Sequence, residues 1–311
     1  MVILLVIVLL VLTLLAVFGF RMAGYAMGIR RQTLEEARKW QEDHYDLSWY
    51  DALQKEDYTV SGNGGYILHV QRLINPADTG KAVIISHGYT DNRFGALKYA
   101  KIYLDMGYDV IVYDLRGHGL NDQAFCTYSI REAKDLDALI RDTRARYPQL
   151  QVLGLHGESL GAASTIACLK YHPRVDFAVA DCAFSEITSV LEGGLRGMHI
   201  PAFMVRVASV CAKLRYGFSF EEMRPVGSLK DNRLPILFIH GAEDSFILPS
   251  HSEALCRAAG EGCELKLIPG AGHAESVLKQ PQMYREAVTE FVSRISNWHF
   301  KLKKVLDRNS E

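Results

Sequence analysis

Charge is absent from the first twenty residues. Val2 to Phe20 is apolar throughout except for Thr13 and Gly19. A helix of that length covers about 28 Å, close to the ~30 Å hydrocarbon core of a bilayer. A secretory signal would carry a basic start and a small-residue cleavage site, and both are missing. The segment therefore reads as an uncleaved anchor, with a signal peptide as the alternative. An excess of basic charge is also missing. With 35 Lys and Arg against 36 Asp and Glu the formal net charge is −1, which argues against a nucleic-acid partner. There is no C-x-x-C. The six cysteines, Cys126, Cys168, Cys182, Cys211, Cys256 and Cys263, follow no regular spacing, so they read as buried thiols rather than a metal site or disulfide framework. No histidine pair at helical spacing sits beside acidic ligands, and neither G-x-G-x-x-G nor a Walker-type loop occurs. These absences remove the usual grounds for a metal or nucleotide cofactor, and none is expected.

What is present belongs to a folded chain. It has 311 residues, of which 49% are hydrophobic and 23% charged, enough for one α/β domain or one domain with an insertion. The expected organisation is an anchor over 1–20, a connector over 21–57, an α/β domain over 58–296 and a tail over 297–311. Arg21, Arg30, Arg31, Arg38 and Lys39 follow the apolar run, so the positive-inside rule places the body in the cytoplasm. Thr33–Leu53 alternates charges with Leu34, Ala37, Trp40 and Tyr45 and reads as a partly helical spacer. Trp298–Asp307 mixes aromatics and lysines; it reads as a solvated helix end or as a lipid contact.

From Tyr58 onward strands and helices alternate. Residues 58–60 and 66–74 flank a Gly-rich turn and predict a hairpin. Further strands are expected at 81–87, 109–115, 152–155, 177–181, 235–240 and 264–269. Helices are expected near 94–106, 130–147, 249–260 and 276–295. Nearly continuous apolar strands separated by helices imply a mainly parallel sheet covered on both faces. Phe184–Pro225 breaks the alternation. Its apolar residues suggest a helical insertion over the mouth of a site, a lid, against the plainer reading of two core helices.

The chemistry centres on Gln151–Leu169. An apolar strand runs into Gly157-Glu158-Ser159-Leu160-Gly161 and then into an Ala-rich helix. Strand, G-x-S-x-G and helix together describe a nucleophile elbow, whose sharp turn lifts a serine clear of the sheet. Gly157 and Gly161 fit there because strand and helix nearly touch. Serine at its free pKa is a weak nucleophile and needs a base held by an acid. His273, in the loop after the last strand, supplies the imidazole. Asp244, in the loop after the preceding strand, supplies the carboxylate. The chain order Ser159, Asp244, His273 suits this arrangement.

HGYTDNR (87–93), DLRGHG (114–119), GESLG (157–161), HGAEDSFILP (240–249) and GAGHAES (270–276) occur in the order found in α/β-hydrolases. Over roughly residues 58 to 296 the chain resembles that superfamily. It is similar to serine-aminopeptidase-like and cinnamoyl-esterase-like hydrolases, and to relatives with one N-terminal membrane helix. The resemblance implies Ser159 as nucleophile, His273 as base, Asp244 as acid, and an oxyanion hole from the backbone N–H groups of Tyr89 and Leu160. Asn121-Asp122 departs from the pattern, since many relatives have a serine there.

Other residues have plainer readings beside the sharp ones. Asp181 ends a strand and is an alternative acid, though Asp244 directly follows the strand before that of the histidine. Glu158 could shape substrate charge or only bond locally. His87 and His118 read as loop-fixing residues, and Asp114 and Arg116 as turn-holding ones. The expected function is hydrolysis of small or medium acyl esters through an acyl-enzyme, with a small-molecule acyl partner and a membrane reached through the N-terminal helix. Peptidase, thioesterase and acyltransferase chemistry use the same three residues. A hydrolase-like scaffold that only binds is the non-enzymatic alternative.

Overall fold

The structure is a computed structural model that describes the backbone of residues 1–308 and the side chains of residues 1–295. Eight strands form one sheet: β1 (Lys55–Ser61), β2 (Ile67–Leu73), β3 (Lys81–Ser86), β4 (Asp109–Tyr113), β5 (Val152–Glu158), β6 (Phe177–Asp181), β7 (Ile236–Gly241) and β8 (Cys263–Ile268). Their order is β1-β2-β4-β3-β5-β6-β7-β8. Both pairings of β2 are antiparallel and the rest of the sheet is parallel. Strands β3 to β7 are buried on both faces, which is why β3, β4 and β6 are apolar with little alternation, whereas the edge strand β8 is largely exposed.

The helices are α1 (Val2–Met27), α2 (Leu34–His44), α3 (Ser48–Ala52), α4 (Leu97–Asp105), α5 (Ile130–Arg146), α6 (Leu160–Cys168), α7 (Ile187–Gly197), α8 (Met204–Tyr216), α9 (Ser250–Ala259), α10 (Ser276–Lys279) and α11 (Pro281–Arg308). Two cores result. One face of the sheet packs α4 and α11, around Tyr99, Tyr103, Tyr284 and Phe291. The other packs α5, α6, the insertion and the end of α1, around Leu136, Ile166, Phe184, Val205 and Met27.

The N-terminal helix continues past Phe20 to Met27. Residues 1–14 are exposed, whereas Ala23, Ala26 and Met27 are buried in the body. Its mean hydropathy reaches 3.3, and among the described residues it is the one helix long and apolar enough to cross a membrane. The connector that follows is ordered by local chemistry. Thr33 and Glu36 close a capping box at the start of α2. Arg31 donates to the carbonyls of Gly119 and Asn121 at 2.7 and 2.6 Å. The expectation for Trp298–Asp307 falls on side chains outside the described residues.

One expectation fails. Cys256 and Cys263 form a disulfide, so only Cys126, Cys168, Cys182 and Cys211 are buried free thiols. The end of α9 and the start of β8 are joined by a tight turn with positive φ at Gly260 and Gly262. That turn brings the two Cα atoms to 5.6 Å, within bonding reach. Spacing alone does not show this, because the pair is defined by a helix turning into a strand.

Candidate active site

Ser159 stands between the end of β5 and the start of α6, with φ of 52° and ψ of −112°. Such a conformation is strained for a residue with a side chain and persists only where the surroundings enforce it. The surroundings here leave no alternative. A Cβ on Gly157 would lie 2.4 Å from the carbonyl oxygen of Gly161, and one on Gly161 would lie 2.2 Å from that of Ser86. Strand β5, helix α6 and strand β3 meet backbone to backbone, and the elbow is the turn this closeness permits. The Ser159 N–H donates to the Asp181 carbonyl at 2.8 Å, tying the turn to β6.

Three loops bring the polar groups together. Ser159 Oγ lies 3.0 Å from His273 Nε2. His273 Nδ1 lies 2.7 Å from Asp244 Oδ2. A proton on Nδ1 satisfies the carboxylate and leaves Nε2 free to accept from the serine hydroxyl. Asp244 is 2% exposed, so its charge must be compensated. Burial opposes ionisation, but hydrogen bonds from His240 and His273 and from backbone N–H groups hold its carboxyl well below the ordinary range. The backbone donors are Phe246 and Ile247, each 2.9 Å from Oδ1.

His240 was not singled out in the sequence. It is fully buried at the end of β7, with Nε2 3.2 Å from Asp244 Oδ2 and 2.7 Å from the Ile247 carbonyl. Both neighbours are acceptors, so Nε2 carries the proton. Nδ1 then accepts from the Ser252 hydroxyl at 2.7 Å. The spacing His240-x-x-x-Asp244, at the turn where a strand gives way to a loop, is the sequence signal for this contact. The other candidate acid is elsewhere: Asp181 accepts from Tyr99 at 3.1 Å. Burial beside the Glu158 charge raises its carboxyl to about 6.

The remaining candidates hold structure. Glu158 pairs with Lys98 and accepts from Tyr99 beneath the elbow, and it also lines the pocket into which Ser159 opens. His87 donates from Nδ1 to the Gly88 carbonyl at 2.7 Å and accepts the Leu115 N–H on Nε2 at 2.9 Å. Burial, reinforced by neighbouring His118, lowers its pKa to about 3, so it stays neutral. Arg93 clasps Asp114, and Arg116 clasps Asp135 through two nitrogens at 2.8 and 2.7 Å. Asn121, the departure from the family pattern, accepts the His69 N–H at 2.9 Å and donates to the Asp114 carbonyl at 2.6 Å. It fastens β2 to the loop after β4.

Ser159 and His273 open into a pocket of about 480 Å³. Gly88, Tyr89 and Leu160 line its polar end. Leu160 is the first residue of α6, where backbone N–H groups lack partners within the helix. Tyr89 is fixed from both sides: its hydroxyl donates to the Gly28 carbonyl, and its own carbonyl faces His118 Nε2. The apolar end is built by Phe184, Ile187, Val190 and Leu195 of the insertion and by Phe246. The N-terminal helix also lines this pocket, through Met22, Tyr25 and Ala26, with Arg30 just beyond it. The sequence alone assigns these residues to a connector over 21–57. Tyr128 reinforces the seam by donating to the Ala26 carbonyl at 2.6 Å.

The fold is shared with known proteins. The family model for serine aminopeptidase S33 matches residues 77–231. The protein YqkD of Bacillus subtilis is 29% identical over 275 residues, covering 86% of this chain and 90% of that protein. The chain is an α/β-hydrolase. Mouse alpha/beta hydrolase domain-containing protein 17C is 26% identical over 217 residues, covering 68% of this hydrolase and 59% of that protein. Among solved structures, the Pyrococcus furiosus esterase Pf2001 superposes with a TM-score of 0.68 at 20% identity, over 86% of this chain and 98% of that one. Est1E from Butyrivibrio proteoclasticus, solved with ferulic acid bound, superposes with a TM-score of 0.60 at 18% identity, over 77% and 99%. At these identities the structural matches speak for the fold.

Proposed function

We propose that this hydrolase is a membrane-anchored serine carboxylesterase that cleaves small or medium acyl esters. One observation carries the reading. A strained serine lies 3.0 Å from an imidazole whose other nitrogen lies 2.7 Å from a buried carboxylate, at the polar end of an apolar pocket. In the first step His273 Nε2 takes the Ser159 proton as Oγ attacks the ester carbonyl carbon. The carbonyl oxygen gains the negative charge and is met by the N–H groups of Tyr89 and Leu160; one such donor is worth roughly 3 kcal/mol. The tetrahedral centre collapses, and His273 returns the proton to the departing alkoxide. Water then repeats the sequence on the acyl-enzyme and releases the acid. Asp244 keeps the imidazole in the required tautomer, and His240 helps to keep Asp244 charged.

The apolar pocket favours esters over peptides, whose backbone polar groups would go unsatisfied there. Thioesters and transfer to an alcohol acceptor require no change in the machinery. Ser159→Ala is expected to lower kcat/KM on p-nitrophenyl butyrate by roughly 10⁴-fold or more and to abolish fluorophosphonate labelling. Full turnover by that variant overturns the assignment.

In this reading Val2–Phe20 is the anchor, and the basic residues after it favour the cytoplasmic side for the body. The Cys256–Cys263 disulfide favours the opposite, oxidising side. Labelling of an engineered surface cysteine in intact cells by a membrane-impermeant maleimide separates the two orientations.

A further inference from the structure

The apolar run of the anchor continues into its contact with the body. Val2–Leu14 stands free of the body, and its 13 residues give a helix of only about 20 Å. A hydrocarbon core needs ~30 Å. The first charge is Arg21, so the apolar run also takes in Leu15–Phe20, a further ~9 Å. One face of that stretch is not free, although Val17 and Phe20 remain exposed. A Cβ on Gly19 would lie 2.6 Å from Cys211 Sγ and 3.0 Å from Val207 of α8. Cys211 Sγ also lies 4.0 Å from the Ala16 carbonyl oxygen. Helix α8 therefore accompanies the last turns of the span to their depth.

Its outer surface suits that position. Phe203, Val210 and Leu214 are 57%, 61% and 74% exposed. With half-buried Val207 they fall at helical spacing, forming one stripe. Met198, at the end of α7, is 60% exposed and also lines the pocket. The charges on α8 are mostly placed for a shallower layer. Arg215 lies beside Gly24, beyond Arg21 along α1. Lys213 is paired with Glu222. Arg206 is exposed, and its long stem allows the guanidinium to reach the headgroups. The pocket wall supplied by α1 runs from Met22 to Ala26, immediately past the end of the span, and Arg30 extends it beyond the helix.

We infer that the α7–α8 cap is a lipid-docking surface, seated in the acyl–headgroup boundary of the bilayer that holds α1, and that the ester enters the pocket from the lipid phase. The inference rests on the anchored-hydrolase reading above. The substrate class it selects is an amphiphilic ester whose acyl chain is dissolved in the membrane and whose carbonyl lies at headgroup depth. Pocket and bilayer then form a continuous apolar path, with Met198 of the cap and Tyr25 of the anchor at its edge.

Two readouts test this with the full chain in phosphatidylcholine–phosphatidylglycerol vesicles. An environment-sensitive fluorophore is placed at Val210→Cys on the cap, at Val8→Cys in the free part of α1, and at Gln149→Cys at the opposite end of the sheet. Lipids carrying a nitroxide high on the acyl chain should quench the Val210 label at least twofold and leave the Gln149 label unchanged. An unquenched Val210 label beside a quenched Val8 label overturns lipid docking of the cap. Loss of quenching at both overturns the anchor itself, and the docking with it.

The second readout is a ratio of rates. Combined Phe203→Glu, Val210→Glu and Leu214→Glu should reduce turnover of vesicle-borne 4-methylumbelliferyl palmitate at least tenfold relative to soluble p-nitrophenyl butyrate. The ratio does not depend on how much of the variant folds, so an unchanged ratio overturns the route from the lipid phase. Fluorophosphonate labelling of Ser159 reports separately on the serine-hydrolase reading.

Discussion

The apex of the sheet and the cap over it are built on opposite terms. At the apex, Ser159, His273, Asp244 and His240 sit where backbone meets backbone, and each polar atom has an assigned donor or acceptor. The cap is apolar, with Gly193, Gly194 and Gly197 in α7 facing open space. It is held by side-chain packing against α1 and the body. The contrast shows a division of labour. The geometry at the apex is fixed by contacts that admit one conformation, whereas the pocket wall rests mainly on the apolar surfaces it covers, with a few hydrogen bonds such as that from Ile187 N–H to the Met223 carbonyl.

The comparison can be broken most severely at the apex. Asp244→Asn leaves the shape intact but removes the charge that selects the Nδ1–H tautomer of His273. A fall in kcat of about 10⁴-fold on p-nitrophenyl butyrate is expected, measured at fixed pH against the parent.

One substitution made in both regions sharpens the contrast. Gly161→Ala places a Cβ 2.2 Å from the Ser86 carbonyl oxygen, a backbone atom that cannot yield cheaply. It should cost about 3 kcal/mol or more and lower the thermal midpoint by several degrees or prevent folding. Gly193→Ala meets nothing within 4 Å and sits inside α7. It should be neutral or stabilising, by about 0.5–1 kcal/mol, because alanine gives up less chain entropy in a helix. Equal losses from the two changes would contradict the comparison.

Acid should attack the buried framework before it reaches the cap. Burial lowers the pKa of His87 to about 3, and that of His156 to about 3 as well. The unfolded chain binds those protons near pH 6.5, whereas the native chain does not. Stability from the neutral rings is therefore complete above that pH and is lost as the pH falls from about 6.5 toward 3. Two such groups give a slope of roughly 2.7 kcal/mol per pH unit, an upper figure for denaturant titrations between pH 6 and 5. His156→Gln should nearly halve the slope. Asp244 adds a loss at lower pH, below the ordinary carboxylate range near 4, as its depressed folded pKa is approached.

The smallest of these losses belongs to the periphery. Cys256→Ser opens a loop of eight residues between α9 and β8. Chain-entropy reasoning gives about 2 kcal/mol, a shift of a few degrees in thermal denaturation, with turnover of p-nitrophenyl butyrate unchanged.

The sequence revealed most where chemistry is local. The elbow is five consecutive residues whose small members report a backbone collision, and the buried strands announce themselves as apolar runs. Ser159, Asp244 and His273 could be named because each ends a strand-and-loop unit in recognisable order. His240 escaped because its contact with Asp244 depends on how a loop folds back after β7. The disulfide escaped because two cysteines seven apart come together only when a helix reverses into a strand. The wall supplied by Met22, Tyr25 and Ala26 escaped for a different reason. A strongly apolar helix hides its own amphipathicity: nothing polar marks which side of α1 meets the protein. The small residues Gly19, Ala23 and Ala26, at spacings of four and three, are the trace of that contact.

The hydrogen bonds that end α1 bear on how the protein should be produced. Removing the first 28 residues, the usual way to obtain a soluble fragment, deletes the carbonyls that receive the hydroxyls of Tyr89 and Tyr128 and the N–H of Cys126. It also uncovers the floor on which Ala23 and Met27 rest. Such a fragment would keep its nucleophile and lose one bank of its binding channel. Its chain-length preference would describe the surgery rather than the enzyme.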